Sequence, residues 1–257
     1  MFDSGVGGLT VLHECLVSLP HEDFVYLGDT ARFPYGVREA DELRAFAFEL
    51  AELLLARGAK LLVVACNAAT SAALPALRER FGNVVGVVTP ESQLAARATR
   101  NGHVGLLATP ATVASGAYER ALEGVTLHAV ACPELAPLIQ SGQEVSQELV
   151  DRVEGYCAPL KAAGVDTVIL GCTHYPLVRP VIQRALGRGV RIVSSGQAIA
   201  DAVHSALGDM ENDQHRRGDY RFMCTGDPEE FRRLGTRFLQ LPLGEVERVN
   251  VQRRAVA

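Results

Sequence analysis

Val165-Asp166-Thr167-Val168-Ile169-Leu170-Gly171-Cys172-Thr173-His174-Tyr175-Pro176 decides how the rest of the chain is read. An apolar, β-branched run ends at Gly171. A thiol, a hydroxyl and an imidazole follow, and Pro176 opens a helical pattern. A short apolar run bounded by glycine and proline predicts a strand buried on both faces. Reactive side chains just past the carboxyl end of such a strand stand where open α/β sheets bind their ligands. The segment Gly58-Ala59-Lys60-Leu61-Leu62-Val63-Val64-Ala65-Cys66-Asn67 has the same layout, with Cys66 in the place of Cys172. Gly164 follows Gly58 by 106 residues, and Cys172 follows Cys66 by the same 106.

Strand and helix patterns alternate on either side of these two segments. Asp3-Ser4-Gly5-Val6-Gly7-Gly8 is a glycine turn two residues into the chain, followed by a helix to about Leu19. Either the natural start lies upstream or the first strand is stunted. The turn lacks both the G-x-G-x-x-G spacing and a P-loop lysine, so a nucleotide site is not indicated. Further strands are predicted over Phe24–Asp29, up to Cys66, Val84–Val88, Val104–Ala108, Thr126–Cys132, Arg191–Val193, Tyr220–Cys224 and Val246–Val251. Helices are predicted over Glu39–Ala56, Ala68–Phe81, Thr89–Arg100, from Pro110, Leu135–Gln140, Val145–Ala163, Leu177–Leu186, Gln197–Leu207 and Pro228–Leu239, with a frayed tail from Arg253 to Ala257. Such alternation predicts an α/β fold with largely parallel sheets. The recurrence predicts two similar lobes, each a sheet flanked by helices, with the active site in the cleft between them. One lobe would span 1–92 plus 196–257, the other 93–195.

Composition narrows the function. The chain has 257 residues, is 48% hydrophobic and carries a net charge of -5 with scattered basic residues, which argues against a nucleic-acid groove. Neither a membrane span nor a signal peptide is read in it, so a cytoplasmic protein is expected. Six cysteines without a C-x-x-C pair speak against a zinc ribbon or a thioredoxin-type motif. Lys60 and Lys161 are the only lysines, each at the edge of a regular element, and neither is placed for a pyridoxal Schiff base.

A lone cysteine is usually a small buried hydrophobe, and Cys15, Cys157 and Cys224 are read that way. Cys132 closes a strand but lacks a polar companion, and is also read as structural. Cys66 and Cys172 each end a buried strand, are followed by polar side chains and precede a helix start. There amides and the helix dipole are expected to favour a thiolate. A cysteine hydrolase needs only one thiol and a base. Two thiols facing one carbon suit a different chemistry, in which one removes a proton from one face and the other returns a proton to the opposite face. That is racemisation or epimerisation, and a duplicated lobe supplies the near-symmetric surroundings it needs.

The segments Asp3-Ser4-Gly5-Val6-Gly7-Gly8, Gly28-Asp29-Thr30-Ala31-Arg32 with Pro34-Tyr35-Gly36, Ala65-Cys66-Asn67 and Gly171-Cys172-Thr173-His174-Tyr175-Pro176 resemble the bacterial glutamate racemases over nearly the whole chain. That resemblance implies a cofactor-independent enzyme, with no metal, that interconverts L- and D-glutamate and supplies D-glutamate for peptidoglycan, as a homodimer. It implies that Cys66 acts on the proton of the D-enantiomer and Cys172 on that of the L-enantiomer, with Asp3 near Cys66 and His174 near Cys172 as proton-handling or orienting partners. It further implies substrate contacts from Ser4, Tyr35, Gly36, Asn67, Ala68 and Thr173, with Thr109 and Thr112 lining the site.

Four features depart from the family pattern. Ala68 stands where a hydroxyl residue is usual, although its amide remains free to donate. Gln140 replaces a common glutamate, Ser194-Ser195-Gly196 replaces Asp-Ser-Gly/Ala, and the first strand is short. Other readings of single residues stay open. Asp3 and Ser4 could cap the following helix, His174 could be a core-edge histidine, Asp29 could organise its loop, and Tyr35 could only pack. The alternatives for the whole chain are a racemase for aspartate or a related acid, and a non-catalytic binding protein on the same scaffold.

Overall fold

A computed structural model of the chain describes residues 1–141, 145–193, 196–213 and 215–251. Ser194 and Ser195 and the tail from Arg253 lie outside the described residues. In chain order come β1 (Phe2–Asp3), α1 (Leu9–Ser18), β2 (Phe24–Gly28), α2 (Ala40–Ala56), β3 (Leu62–Val64), α3 (Asn67–Phe81) and β4 (Val84–Gly86). Helix α4 (Val88–Ala98) leads to β5 (His103–Ala108), α5 (Pro110–Ala114), α6 (Ala117–Ala121), β6 (Thr126–Ala131) and α7 (Leu135–Gln140). Then follow α8 (Gln147–Ala162), β7 (Thr167–Gly171), α9 (Arg179–Leu186) and β8 (Arg191–Val193). The chain closes with α10 (Gly196–Leu207), β9 (Tyr220–Cys224), α11 (Pro228–Leu239) and β10 (Val246–Arg248).

The strands form two sheets, in the orders β10-β9-β2-β1-β3-β4 and β6-β5-β7-β8, and every described pairing is parallel. The first four strands and the next four therefore repeat one order, 2-1-3-4. In an open parallel sheet of that order the ligand crevice lies where the connections reverse, between the first and third strands. Here those strands are β1 and β3 in one sheet, and β5 and β7 in the other. Their carboxyl ends carry Asp3 and Cys66, and Thr109 and Cys172.

β1 is two residues long, yet it is central, pairing Phe2 with Leu27 on one side and Val64 on the other. Tyr26, Val63, Leu107, Val168 and Leu170 belong to one buried apolar cluster that runs through α1 and α10 from the first sheet to the second. A second cluster lies under α2 and α3, and a third under α4 and α6.

Three sequence expectations change. The boundary at residue 92 cuts through α4, whose buried Val88 and Ala95 join Leu106 and Ile169 of the second sheet. The helix packs there because its small and β-branched residues face β7 and β8. The helix expected from Leu177 begins as a single 3-10 turn, Tyr175–Val178, before α9. The helix expected from Pro110 breaks at Gly116, whose φ of 62° is left-handed, a conformation that glycine adopts readily.

Candidate active site

Cys66 is the N-cap of α3 and Cys172 directly follows β7. Both are nearly buried, at 6% and 7% exposure, and both line one cavity. Its walls come from both sheets: Ser4, the Phe33–Val37 loop, Asn67 and Ala68 on one side, and Thr109, Pro133, Pro137, Thr173 and His174 on the other. The free space is only about 20 Å³, and one water molecule needs about 10–15 Å³. An amino acid enters only if the walls part. Larger surface depressions lie elsewhere, for example around Glu22 and Lys60 at the amino ends of the first sheet, but they hold no facing thiols.

The two thiols have different neighbours. The amides of Ala69 and Ser4 and the Ser4 hydroxyl pull the Cys66 pKa down, but burial outweighs them and raises it to about 12. Cys172 also stands well above the ordinary thiol value, because burial exceeds the help from the His174 amide. The expected thiolate is thus not the form favoured in this closed site. The dipole acts at Cys66, whereas only a 3-10 turn follows Cys172, and desolvation of a charge costs more than either supplies.

Cys172 Sγ lies 3.9 Å from His174 Nδ1. His174 Nε2 lies 2.9 Å from Gln140 Oε1, and the imidazole packs against the rings of Phe33 and Phe238. Burial pulls its pKa to about 3, so it is neutral at physiological pH. Asp3 accepts from the amides of Gly5 and Gly8, each at 3.1 Å, and its other oxygen accepts from the Thr173 hydroxyl at 3.4 Å. It therefore organises the glycine turn and also reaches the second sheet. Burial is the main influence on its carboxyl pKa, which is raised. Its charge acts on both thiols.

The remaining residues named from sequence fall into two groups. Ser4, Tyr35, Gly36, Asn67, Ala68, Thr109 and Thr173 stand on the cavity wall. Thr112 stands behind Thr109, hydroxyl to hydroxyl at 3.0 Å. The Tyr35 hydroxyl is bonded to Asp29, so Tyr35 offers the cavity its ring. Asp29 also accepts from Thr225 at 2.7 Å and pairs with Arg32, which makes it the organiser of this loop. Cys15, Cys132, Cys157 and Cys224 are buried. Cys132 donates to its neighbour Val130 O at 3.6 Å.

Sequence reasoning missed the support of Asn67. Its Nδ2 donates to Glu91 at 3.0 Å and to the Tyr118 hydroxyl at 2.8 Å, and Tyr118 donates to Glu91. This buried cluster ties α3 to α4 and α6. Neither residue carries a local signal, since one carboxylate in a helix start and one tyrosine in a short helix look ordinary.

Gly7 shows how tightly the two sides meet. A Cβ there would lie 2.4 Å from both His174 Nδ1 and Thr173 Oγ1. Gly7→Ala is expected to cost about 1–3 kcal/mol of stability and to lower turnover by displacing His174. Thermal melts and initial rates check this, with Gly155→Ala as the control, since nothing lies within 4 Å of that position.

The burial of these groups contributes to the pH dependence of stability. His174 is lowered to about 3 from 6.5, so its contribution is complete above 6.5 and is lost as pH falls from 6.5 toward 3. Cys66 is raised from 9.0 to about 12, so its contribution is complete below 9 and is lost as pH rises toward 12. The melting temperature should fall in both windows, and His174→Asn should flatten only the acid one.

The sequence profile of the Asp/Glu/Hydantoin racemase family matches residues 11–203. A glutamate racemase of Listeria monocytogenes is 44% identical, over 97% of this chain and 96% of its own. A crystal structure of a glutamate racemase isoform from Bacillus anthracis superposes with a TM-score of 0.93 at 37% identity, covering 97% of this chain and 96% of that one. A glutamate racemase from Francisella tularensis, solved in complex with D-glutamate, superposes at 0.90 with 29% identity, covering 97% and 96%. The chain belongs to the Asp/Glu/Hydantoin racemase family. It is an amino-acid racemase, an isomerase.

Proposed function

We propose that this racemase interconverts L- and D-glutamate without a cofactor, by a two-thiol mechanism, and supplies D-glutamate for peptidoglycan. The observation that carries the proposal is the pair Cys66 and Cys172, presented to one cavity from the corresponding strand ends of two sheets of equal strand order. The 44%-identical relative and the neighbour solved with D-glutamate favour glutamate as the substrate.

In the L-to-D direction the Cys172 thiol first gives its proton to His174 Nδ1. The thiolate then takes the α-proton. The C–H bond breaks, an S–H bond forms, and the electron pair is left on the α-carbon and its carboxylate. The Cys66 thiol donates its proton to the opposite face and is left as a thiolate; after product leaves it takes a proton from water while His174 gives its own up to water, so both thiols are again protonated and the imidazole neutral. In the D-to-L direction the thiols exchange roles, with Asp3 beside Cys66 as the nearby carboxylate. Backbone amides and hydroxyls of Ser4, Asn67, Ala68, Thr109 and Thr173 bind the two carboxylates, which needs no basic cluster. Because both resting thiols are protonated, the thiolate forms inside the substrate complex, where the substrate ammonium adds a positive charge.

The proposal also treats the two sheets as cores of two lobes that part to admit substrate. One begins at residue 1 and resumes at 196, and the other begins with α4. The homodimer and the cytoplasmic location belong to the same proposal, and sedimentation velocity reads the first of these. A panel of enantiopure acids tests the substrate, with loss of optical rotation followed for glutamate, aspartate and their amides. Turnover of glutamate alone supports the reading, and a preference for aspartate overturns it.

A further inference from the structure

Gln140 is the last residue of α7, and its side chain meets His174 on the edge opposite Cys172. The three groups form a line: Gln140 Oε1, 2.9 Å to Nε2, across the ring, and Nδ1 3.9 Å to the Cys172 sulfur. An amide oxygen is only an acceptor, so Nε2 must carry the proton for this contact to be a hydrogen bond. A neutral imidazole then has its lone pair on Nδ1. We propose that Gln140 is a positioning residue that fixes His174 as the neutral Nε2–H tautomer, so that the Nδ1 lone pair faces the Cys172 thiol as its proton acceptor. This deepens the two-thiol reading and rests on it for its catalytic meaning.

The choice of an amide here has a consequence. A carboxylate opposite Nε2–H would fix the same tautomer but would also stabilise the imidazolium. The glutamine orients the ring without adding charge. No other charged side chain compensates among the described residues packed on the ring. The aromatic rings are Phe33 from the loop and Phe238 from α11. Arg237 on α11 donates to the Ile139 carbonyl at 3.5 Å instead. Asp3 accepts from the Thr173 hydroxyl on this side, and its charge acts on Cys172 and not on the ring. The other titratable neighbour is Cys172 itself. The imidazole thus stays uncharged in the free enzyme, consistent with its low pKa, and is ready to accept a proton from one direction only. Among the described residues no imidazole stands on the Cys66 side, so the arrangement is confined to one of the two thiols.

The test is nitrogen NMR of the full chain with 15N-histidine, with the His174 signals assigned by their loss in His174→Asn. In the unaltered protein His174 should show a protonated Nε2 and an unprotonated Nδ1, unchanged between pH 8 and pH 5. Gln140→Leu should remove the bias and give mixed tautomers. Gln140→Glu should keep the tautomer but raise the His174 titration by about one to three pH units. The acid limb of kcat/KM should move upward by the same amount in that variant. An Nδ1–H tautomer in the unaltered protein, an unchanged spectrum in Gln140→Leu, or no upward movement in Gln140→Glu would each overturn the proposal. If Gln140→Leu fails to fold, the Gln140→Glu titration alone decides. The tautomer is read without substrate, so failure of the racemase reading, seen as no α-proton exchange, is separable from failure of the role given to Gln140.

Discussion

Cys66→Ser and Cys172→Ser are each expected to lower glutamate racemisation by about 10²- to 10⁴-fold, the range that a positioned acid or base supplies. Serine nearly preserves size and keeps a hydrogen bond, so both variants should fold. It cannot serve as the base, because a hydroxyl ionises far less readily than a thiol, and burial has already raised the thiols. The two losses should also differ in kind. With Cys172 replaced, Cys66 can still remove and return the α-proton of D-glutamate, so slow exchange with solvent deuterium should be confined to the D-enantiomer. With Cys66 replaced, it should be confined to the L-enantiomer. NMR of the α-proton in D2O separates these outcomes. Either variant racemising within tenfold of the unaltered protein would contradict a two-thiol device.

His174→Asn should lower kcat from L-glutamate by about 100-fold, and kcat from D-glutamate by less. The reason is the geometry: Nδ1 lies 3.9 Å from Cys172, and the imidazole has no counterpart at Cys66, where Asp3 is the charged neighbour. Thermodynamics restricts how this asymmetry appears. Two enantiomers have equal free energy, so kcat/KM must be the same in both directions for every variant. The larger loss in kcat from L-glutamate must therefore come with an equally larger fall in its KM. Initial rates by circular dichroism, with each enantiomer as substrate, give both parameters. Equal losses of kcat in both directions would show that His174 serves the site as a whole.

Much of this site is legible in the chain because its signals are periodic or local. Strand ends followed by Cys66-Asn67 and Cys172-Thr173-His174, spaced by one repeat, point to both thiols from sequence alone. The glycine turn after Asp3 is legible for the same reason. The boundary near residue 92 falls inside α4, because a helical pattern does not say which sheet its buried Val88 and Ala95 pack on, and only tertiary packing decides that. The protonation of the thiols is misjudged because sequence reveals a helix start but not the depth of burial, and burial dominates here. Gln140 stands out as a departure from the family pattern, yet its contact with His174 spans 34 residues and no periodicity encodes it. Glu91 and Tyr118 escape notice on the same ground.

The central claim is that two different thiols handle the proton on opposite faces of one carbon. The most direct measurement follows the unaltered protein in D2O with protiated L-glutamate and, separately, D-glutamate, and reads the α-position of substrate and product early in the reaction. The account predicts that the product carries deuterium from its first appearance while the unreacted substrate keeps its α-proton, for both enantiomers. No exchange with either enantiomer, or a product that retains the original α-proton, would contradict it.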